Sequence, residues 1–66
     1  MPIALSSEQR ISIKRKLQLA AEVSLKKYGV KKTTIDNLVQ SVNIPKGTFY
    51  LIYPSKAILL YEVFQM

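Results

Sequence analysis

The chain contains no Cys, no His and no Trp among its 66 residues, and these absences exclude several kinds of site. Without Cys there is no disulfide scaffold and no thiolate nucleophile. With neither Cys nor His, the usual zinc ligand sets cannot form. The few acidic residues are scattered along the chain, and no His is present for a Ser/His/Asp triad. We therefore expect no enzymatic activity, no metal and no cofactor.

Long hydrophobic runs are absent as well. Residues 1–7 do not have the basic start and apolar run of a signal peptide, and no stretch of about 18 uncharged apolar residues occurs. We therefore expect no membrane span, and we predict a cytoplasmic protein.

Basic residues, in contrast, are plentiful: ten Lys plus Arg against four Asp plus Glu give a formal net charge of +6. The hydrophobic fraction of 48% is typical of a folded domain, so the charge lies on a structure with a core and not on a disordered basic tail. The length allows one small domain. A folded, basic domain indicates a polyanionic partner.

The first helix has clear start and stop signals. Ser6 and Gln9 have the spacing of a capping box, and apolar residues then recur at helical spacing on one face. Gly29 stands where a left-handed residue commonly ends a helix. The pattern predicts helix one over about residues 7–28.

A short second helix follows. Thr33 or Thr34 can cap it, apolar residues recur at i, i+3, i+4 and i+7, and Asn43 tolerates the left-handed conformation that ends a helix. The pattern predicts helix two over about residues 34–41.

Prolines delimit the last two helices. Pro45 suits the first position of a helix, which predicts helix three over about residues 45–52. Pro54 ends that helix, and Ser55 can cap a fourth from about residue 55. The fourth segment continues to Met66 and is apolar nearly all round, as in a helix buried on more than one side, so we expect this chain to be the N-terminal piece of a longer protein. The predicted fold is all-α, a small bundle of four helices.

Helices two and three, joined by a few residues around Asn43, have the sequence shape of a helix-turn-helix. In that motif the start of the second helix contacts base edges in the major groove of DNA. Lys46, Gly47 and Thr48 make a slim first turn with hydrogen-bond donors and no acid, and the glycine allows the backbone to approach a duplex closely.

These residues also resemble a known family. Thr-Thr-Ile at residues 33–35, Ile-Pro-Lys-Gly-Thr-Phe-Tyr at residues 44–50 and Tyr-Pro-Ser-Lys at residues 53–56 look like the DNA-binding domain of the TetR family of transcriptional repressors. The resemblance covers nearly the whole chain, including helix one. It implies a homeodomain-like helix-turn-helix in a homodimeric repressor of a double-stranded, palindromic operator. It also implies a C-terminal domain, absent from this chain, that dimerises and binds a small-molecule inducer.

The resemblance implies roles for individual residues. Tyr50 and Lys56 would hold phosphates, a threonine at the start of helix two would hold another, and the turn from Pro45 would face the groove. Leu51 stands where the family usually has a polar or aromatic residue, and it can pack either on thymine methyl groups or within the domain. Asp36 is not expected to touch a phosphate. The candidate DNA-binding residues are Thr33, Thr34, Pro45, Lys46, Gly47, Thr48, Tyr50, Leu51 and Lys56.

Two other functions fit parts of the sequence. Helix one carries five basic residues largely off its apolar stripe, as in a cationic amphipathic peptide at a membrane surface. The apolar fourth helix is compatible with a protein-interaction module. The membrane-surface alternative does not explain the Pro-Lys-Gly-Thr turn at residues 45–48.

Overall fold

The computed structural model describes residues 6–65, which form four helices without a strand among them. The helices are α1 (Ser7–Tyr28), α2 (Ile35–Val42), α3 (Lys46–Ile52) and α4 (Lys56–Gln65). The all-α bundle matches the predicted fold class. Met66, which ended the predicted fourth segment, lies outside the described residues.

Helix α1 occupies the predicted range because both of its ends are specified locally. The Ser6 hydroxyl accepts a hydrogen bond from the Gln9 backbone N–H at 3.1 Å, and the Gln9 side chain accepts one from the Ser6 N–H at 2.9 Å. At the other end Gly29 has φ +83°, a conformation that favours glycine.

Helix α2 is shifted by one residue from the prediction. Thr34 has an extended backbone, with ψ 156°, and its hydroxyl caps the helix by accepting from the Asn37 N–H at 3.2 Å. The helix therefore begins after Thr34, at Ile35. It continues to Val42 because Asn43, with φ 59° and ψ 48°, adopts the left-handed conformation that ends it.

Helix α3 also begins one residue later than predicted. The φ of Pro45 suits a helix, but its ψ of 150° is extended, so Pro45 takes the cap position and Lys46 is the first helical residue. The carbonyl of Pro45 accepts from the Thr48 N–H at 3.0 Å, which closes the first turn. Helix α4 likewise begins at Lys56, one residue after the predicted position.

The core lies where all four helices meet. Helix α1 packs against α2 and α4, and α2 packs against α3. Phe49 and Tyr53, one helical turn apart, are fully buried, with ring centroids 5.8 Å apart. The buried apolar residues are Leu17, Ala21, Leu38, Val39, Phe49, Tyr53, Leu59, Leu60 and Val63.

A polar cluster joins the end of α3 to α1 and α4. The Gln18 amide donates to the Tyr53 hydroxyl at 3.4 Å and to the Glu62 carboxylate at 3.3 Å, and the Tyr53 hydroxyl donates to the same carboxylate at 3.4 Å. Lys14 lies 3.5 Å from that carboxylate and 5.6 Å from the centre of the Tyr53 ring. Burial, and then the negative charge of Glu62, raises the pKa of Tyr53 to about 12. The cluster holds Tyr53, the residue that follows α3, in the core.

Candidate nucleic-acid interface

Helices α2 and α3 are joined by a three-residue turn, Asn43, Ile44 and Pro45. The left-handed Asn43 reverses the chain direction, and the Ile44 N–H then donates to the Val39 carbonyl at 3.0 Å. This bond ties the turn to the last part of α2. The arrangement is a helix-turn-helix with α3 as its second helix.

The first turn of α3 is exposed and narrow. Pro45, Lys46 and Gly47 are exposed, and Thr48 is half-buried. Apart from its chain neighbours and the backbone of its own helix, a Cβ placed on Gly47 would have no heavy atom within 4 Å, and the backbone there is not left-handed. The domain's own packing therefore does not require glycine at this position, whereas close approach of an external surface does.

The middle of α3 alternates between core and surface. Phe49 is fully buried, while the next two residues, Tyr50 and Leu51, are 49% and 52% exposed. The Tyr50 ring stands edge-on to the Phe49 ring, with centroids 5.5 Å apart and an interplanar angle of 88°. Phe49 thus supports the Tyr50 ring from the core side. Leu51 is available to an external surface, as one of its two predicted alternatives required.

Thr33 departs from its expected role. Its side chain is fully buried, and its hydroxyl oxygen lies 2.8 Å from the Ser24 hydroxyl and 2.8 Å from the Gly29 carbonyl, to which it donates. A side chain without exposed surface cannot reach a phosphate in this conformation. We therefore exclude Thr33 from the interface and assign it to the junction of α1 and α2. Thr34, half-buried at the start of α2, stays in the candidate set.

The candidate lysines have different surroundings. Lys46 Nζ lies 3.0 Å from a carboxylate oxygen of Asp36, and this hydrogen bond raises the pKa of Lys46. Lys56, at the start of α4, donates to the Val30 carbonyl at 3.5 Å. This contact joins the start of α4 to the turn before α2.

Positive charge dominates the segment that carries the candidate residues. Residues 29–56 contain four Lys and a single acid, Asp36. Lys31 and Lys32 are exposed in the turn before α2, and the Lys32 carbonyl accepts from the Asn37 side chain at 3.3 Å. The net positive charge of this segment therefore attracts a polyanion such as a nucleic acid.

Two contacts near α3 were not anticipated from the sequence. An Arg10 guanidinium nitrogen donates to the Leu51 carbonyl at 2.9 Å, so a residue from the start of α1 satisfies one of the carbonyls left free at the end of α3. The ion pair between Asp36 and Lys46 is the other. Neither has a local sequence signal, because the partners lie on different helices.

Comparison with protein families gives one result for this chain. The family model described as "Bacterial regulatory proteins, tetR family" matches residues 18–63, which include the helix-turn-helix, the second half of α1 and most of α4. Comparisons with curated proteins and with solved structures give no match. Across residues 6–65, no helix is both long enough and apolar enough to cross a membrane.

Proposed function

This chain belongs to the TetR family of bacterial regulatory proteins and is a DNA-binding transcription regulator, and from that premise we propose that α3 lies in the major groove of duplex DNA. In this arrangement the turn formed by Pro45, Lys46, Gly47 and Thr48 enters the groove, where Gly47 and Thr48 approach the bases and the longer Lys46 side chain can reach a phosphate at the groove edge. Helix α2 crosses the DNA backbone, as the first helix of this motif does.

The observation that carries this proposal is the open space around Gly47. Gly47 is the second residue of α3, where glycine costs about 0.4–1 kcal/mol relative to alanine because it leaves the unfolded chain more freedom, and no side chain of the domain occupies the space that a Cβ would fill. Contact with an external backbone or base edge explains this position better than internal packing does. Its neighbours, Lys46 and Thr48, offer donors on the same turn.

Phosphate contacts surround this turn. Tyr50 presents a half-exposed ring whose hydroxyl can donate to a phosphate, and Lys56 supplies a cation at the start of α4. Thr34 is positioned by its capping bond at the start of α2. These contacts fix the orientation of α3 on the duplex, whereas contacts to base edges distinguish sequences.

We further propose that the regulator is a homodimeric, cytoplasmic repressor of a palindromic operator, released by a small-molecule inducer bound to a C-terminal domain outside this chain. Family membership supports this description. The surface of α4 supports the additional domain, because Ile58, Tyr61 and Phe64 are large apolar side chains left exposed on one short helix.

Fluorescence anisotropy with a random-sequence duplex tests the docking of α3. The unsubstituted chain is titrated at several salt concentrations beside Lys46→Ala, Tyr50→Phe and Lys56→Ala. Each lysine that neutralises a phosphate contributes about 0.9 to the slope of log K against log salt, so each lysine variant is expected to flatten the slope by up to that amount. Tyr50→Phe removes a neutral donor and is expected to weaken binding with an unchanged slope.

Lys26→Gln is the matched control. Lys26 lies on α1 near Val63 and Phe64 of α4, so this substitution removes the same charge from another side of the domain. It is expected to change the slope less than either lysine variant. Binding that is insensitive to salt, or that ignores all three interface substitutions, would contradict the proposal. Absent duplex binding combined with tight association with anionic vesicles would favour the membrane-surface alternative.

A further inference from the structure

The one acid between Glu22 and Glu62 in the sequence lies beside the proposed DNA-binding turn. Asp36, in the first turn of α2, is paired with Lys46, the first residue of α3, at 3.0 Å. The two side chains are 76% and 52% exposed. An exposed pair of this kind adds little to stability, and an acid in the first turn of α2 adds a small further amount through the helix dipole, so folding gives only a modest reason for a carboxylate on a surface that meets a polyanion.

We infer that Asp36 competes with DNA phosphate for Lys46 and thereby limits the sequence-independent affinity of this domain. The inference rests on the proposed function, since it requires Lys46 to face DNA. It identifies Asp36 as a residue that adjusts binding without itself contacting the duplex.

The competition follows from charge balance. While Lys46 is paired with Asp36, the two side chains have no net charge, and their attraction for the phosphate backbone is small. Binding to phosphate requires Lys46 to exchange one oxygen anion for another, so only part of the usual electrostatic gain is realised. Because this electrostatic contribution is largely independent of sequence, Asp36 weakens binding to duplex DNA in general.

Asp36→Asn tests the inference with little change in shape. In the full 66-residue chain, this variant is expected to bind a random-sequence duplex about two- to fivefold more tightly at low salt, the upper part of the range that corresponds to an exposed ion pair. The dependence of log K on log salt is expected to steepen, because a free Lys46 releases more counterions from the duplex. Asp36→Ser is expected to give the same direction of change, and circular dichroism checks that both variants keep their helices.

Glu22→Gln provides a matched control. Glu22 is paired with Lys26 at 3.2 Å on α1, so its substitution removes the same charge and frees a lysine outside the helix-turn-helix. The control is expected to change the affinity less than about 1.5-fold, as is usual for a surface charge at a distance in moderate salt. A rise equal to that of Asp36→Asn would attribute the effect to net charge and overturn the inference.

The Lys46→Met background separates competition from simple repulsion of phosphate by Asp36. If Asp36 acts through Lys46, adding Asp36→Asn to Lys46→Met is expected to leave the affinity unchanged. An undiminished gain in that background, or weaker binding by Asp36→Asn alone, would overturn the inference and leave α3 docking intact. Failure of the unsubstituted chain to bind duplex in a salt-dependent way would overturn the proposed function, and the inference with it.

Discussion

Replacing Gly47 with alanine is expected to make the domain more stable and a weaker DNA binder. Most substitutions at a binding surface either leave stability unchanged or lower it, so opposite signs in the two measurements are diagnostic. The gain in stability is expected from the structure around Gly47, and the loss of binding is expected from the proposed docking of α3.

The size of the expected gain in stability follows from the surroundings of Gly47. Apart from its chain neighbours and the backbone of its own helix, the new methyl group would meet no heavy atom within 4 Å, and the backbone of this helical residue is not in the left-handed region. Alanine is favoured over glycine by about 0.5–1 kcal/mol at such a helical position, partly because it restricts the unfolded chain. For a domain of this size, that free energy corresponds to a rise of about 2–8 °C in the unfolding midpoint.

Thermal unfolding followed by circular dichroism measures the change in stability, and anisotropy titration of a duplex measures the change in binding. A methyl group on the surface that meets the groove is expected to weaken binding, since an interface that relies on close backbone approach must separate to admit it. The salt slope is expected to remain nearly unchanged, because no charge is removed.

Two results would contradict this prediction, one for stability and one for DNA binding. A lower unfolding midpoint for Gly47→Ala would mean that the space around Gly47 is not open in the folded domain. A raised midpoint with undiminished duplex binding would mean that the glycine does not serve close approach to DNA, and α3 would have to meet the duplex through another face.

Two further predictions concern residues behind the interface. Thr33→Val removes hydrogen bonds to Ser24 and Gly29 and is expected to lower the free energy of unfolding in urea by about 1–3 kcal/mol, at about 1 kcal/mol per bond plus a partly buried carbonyl left unpaired. The slope of log K against log salt for DNA binding is expected to stay the same. A flatter slope in a variant whose stability is unchanged would indicate that Thr33 contacts DNA. Tyr53, with its pKa raised to about 12, favours the neutral phenol in the folded state. Its contribution is fully present below the unfolded pKa of about 10 and is lost as the pH rises to about 12. Denaturation of Tyr53→Phe across this window is expected to depend less on pH, and identical profiles would contradict this assignment.

Local signals in the sequence determined most of the fold. The capping box of Ser6 and Gln9, the left-handed Asn43 and the periodic apolar residues act within a few positions of the chain, so they specify helix ends and buried faces without knowledge of the tertiary structure. The pattern of two short helices joined around Asn43, the second with a slim first turn, was likewise sufficient to predict a helix-turn-helix, and the family assignment agrees with it.

The starts of α2 and α3 lie one residue later than predicted, because local sequence rules allowed more than one position for each start. Pro45 has a φ suited to the first helical position, yet its ψ is extended, and this angle depends on how the turn from Asn43 enters α3. The same holds at the start of α2, where both threonines are acceptable caps by type. Only the direction in which the chain leaves α1 decides that Thr34 caps the helix and Thr33 is buried.

The surroundings of α3 were decided by tertiary structure alone. Arg10 reaches the Leu51 carbonyl across 41 residues of sequence, and Asp36 pairs with Lys46 across the helix-turn-helix. Such contacts depend on how two helices are placed relative to each other, which no short sequence pattern encodes. The sequence by itself therefore determined that this is a basic helix-turn-helix domain and which of its turns is slim. The packing of its helices decided which threonine is buried and which lysine already has an anionic partner, because burial and ion pairing are properties of surfaces that exist only after the chain has folded.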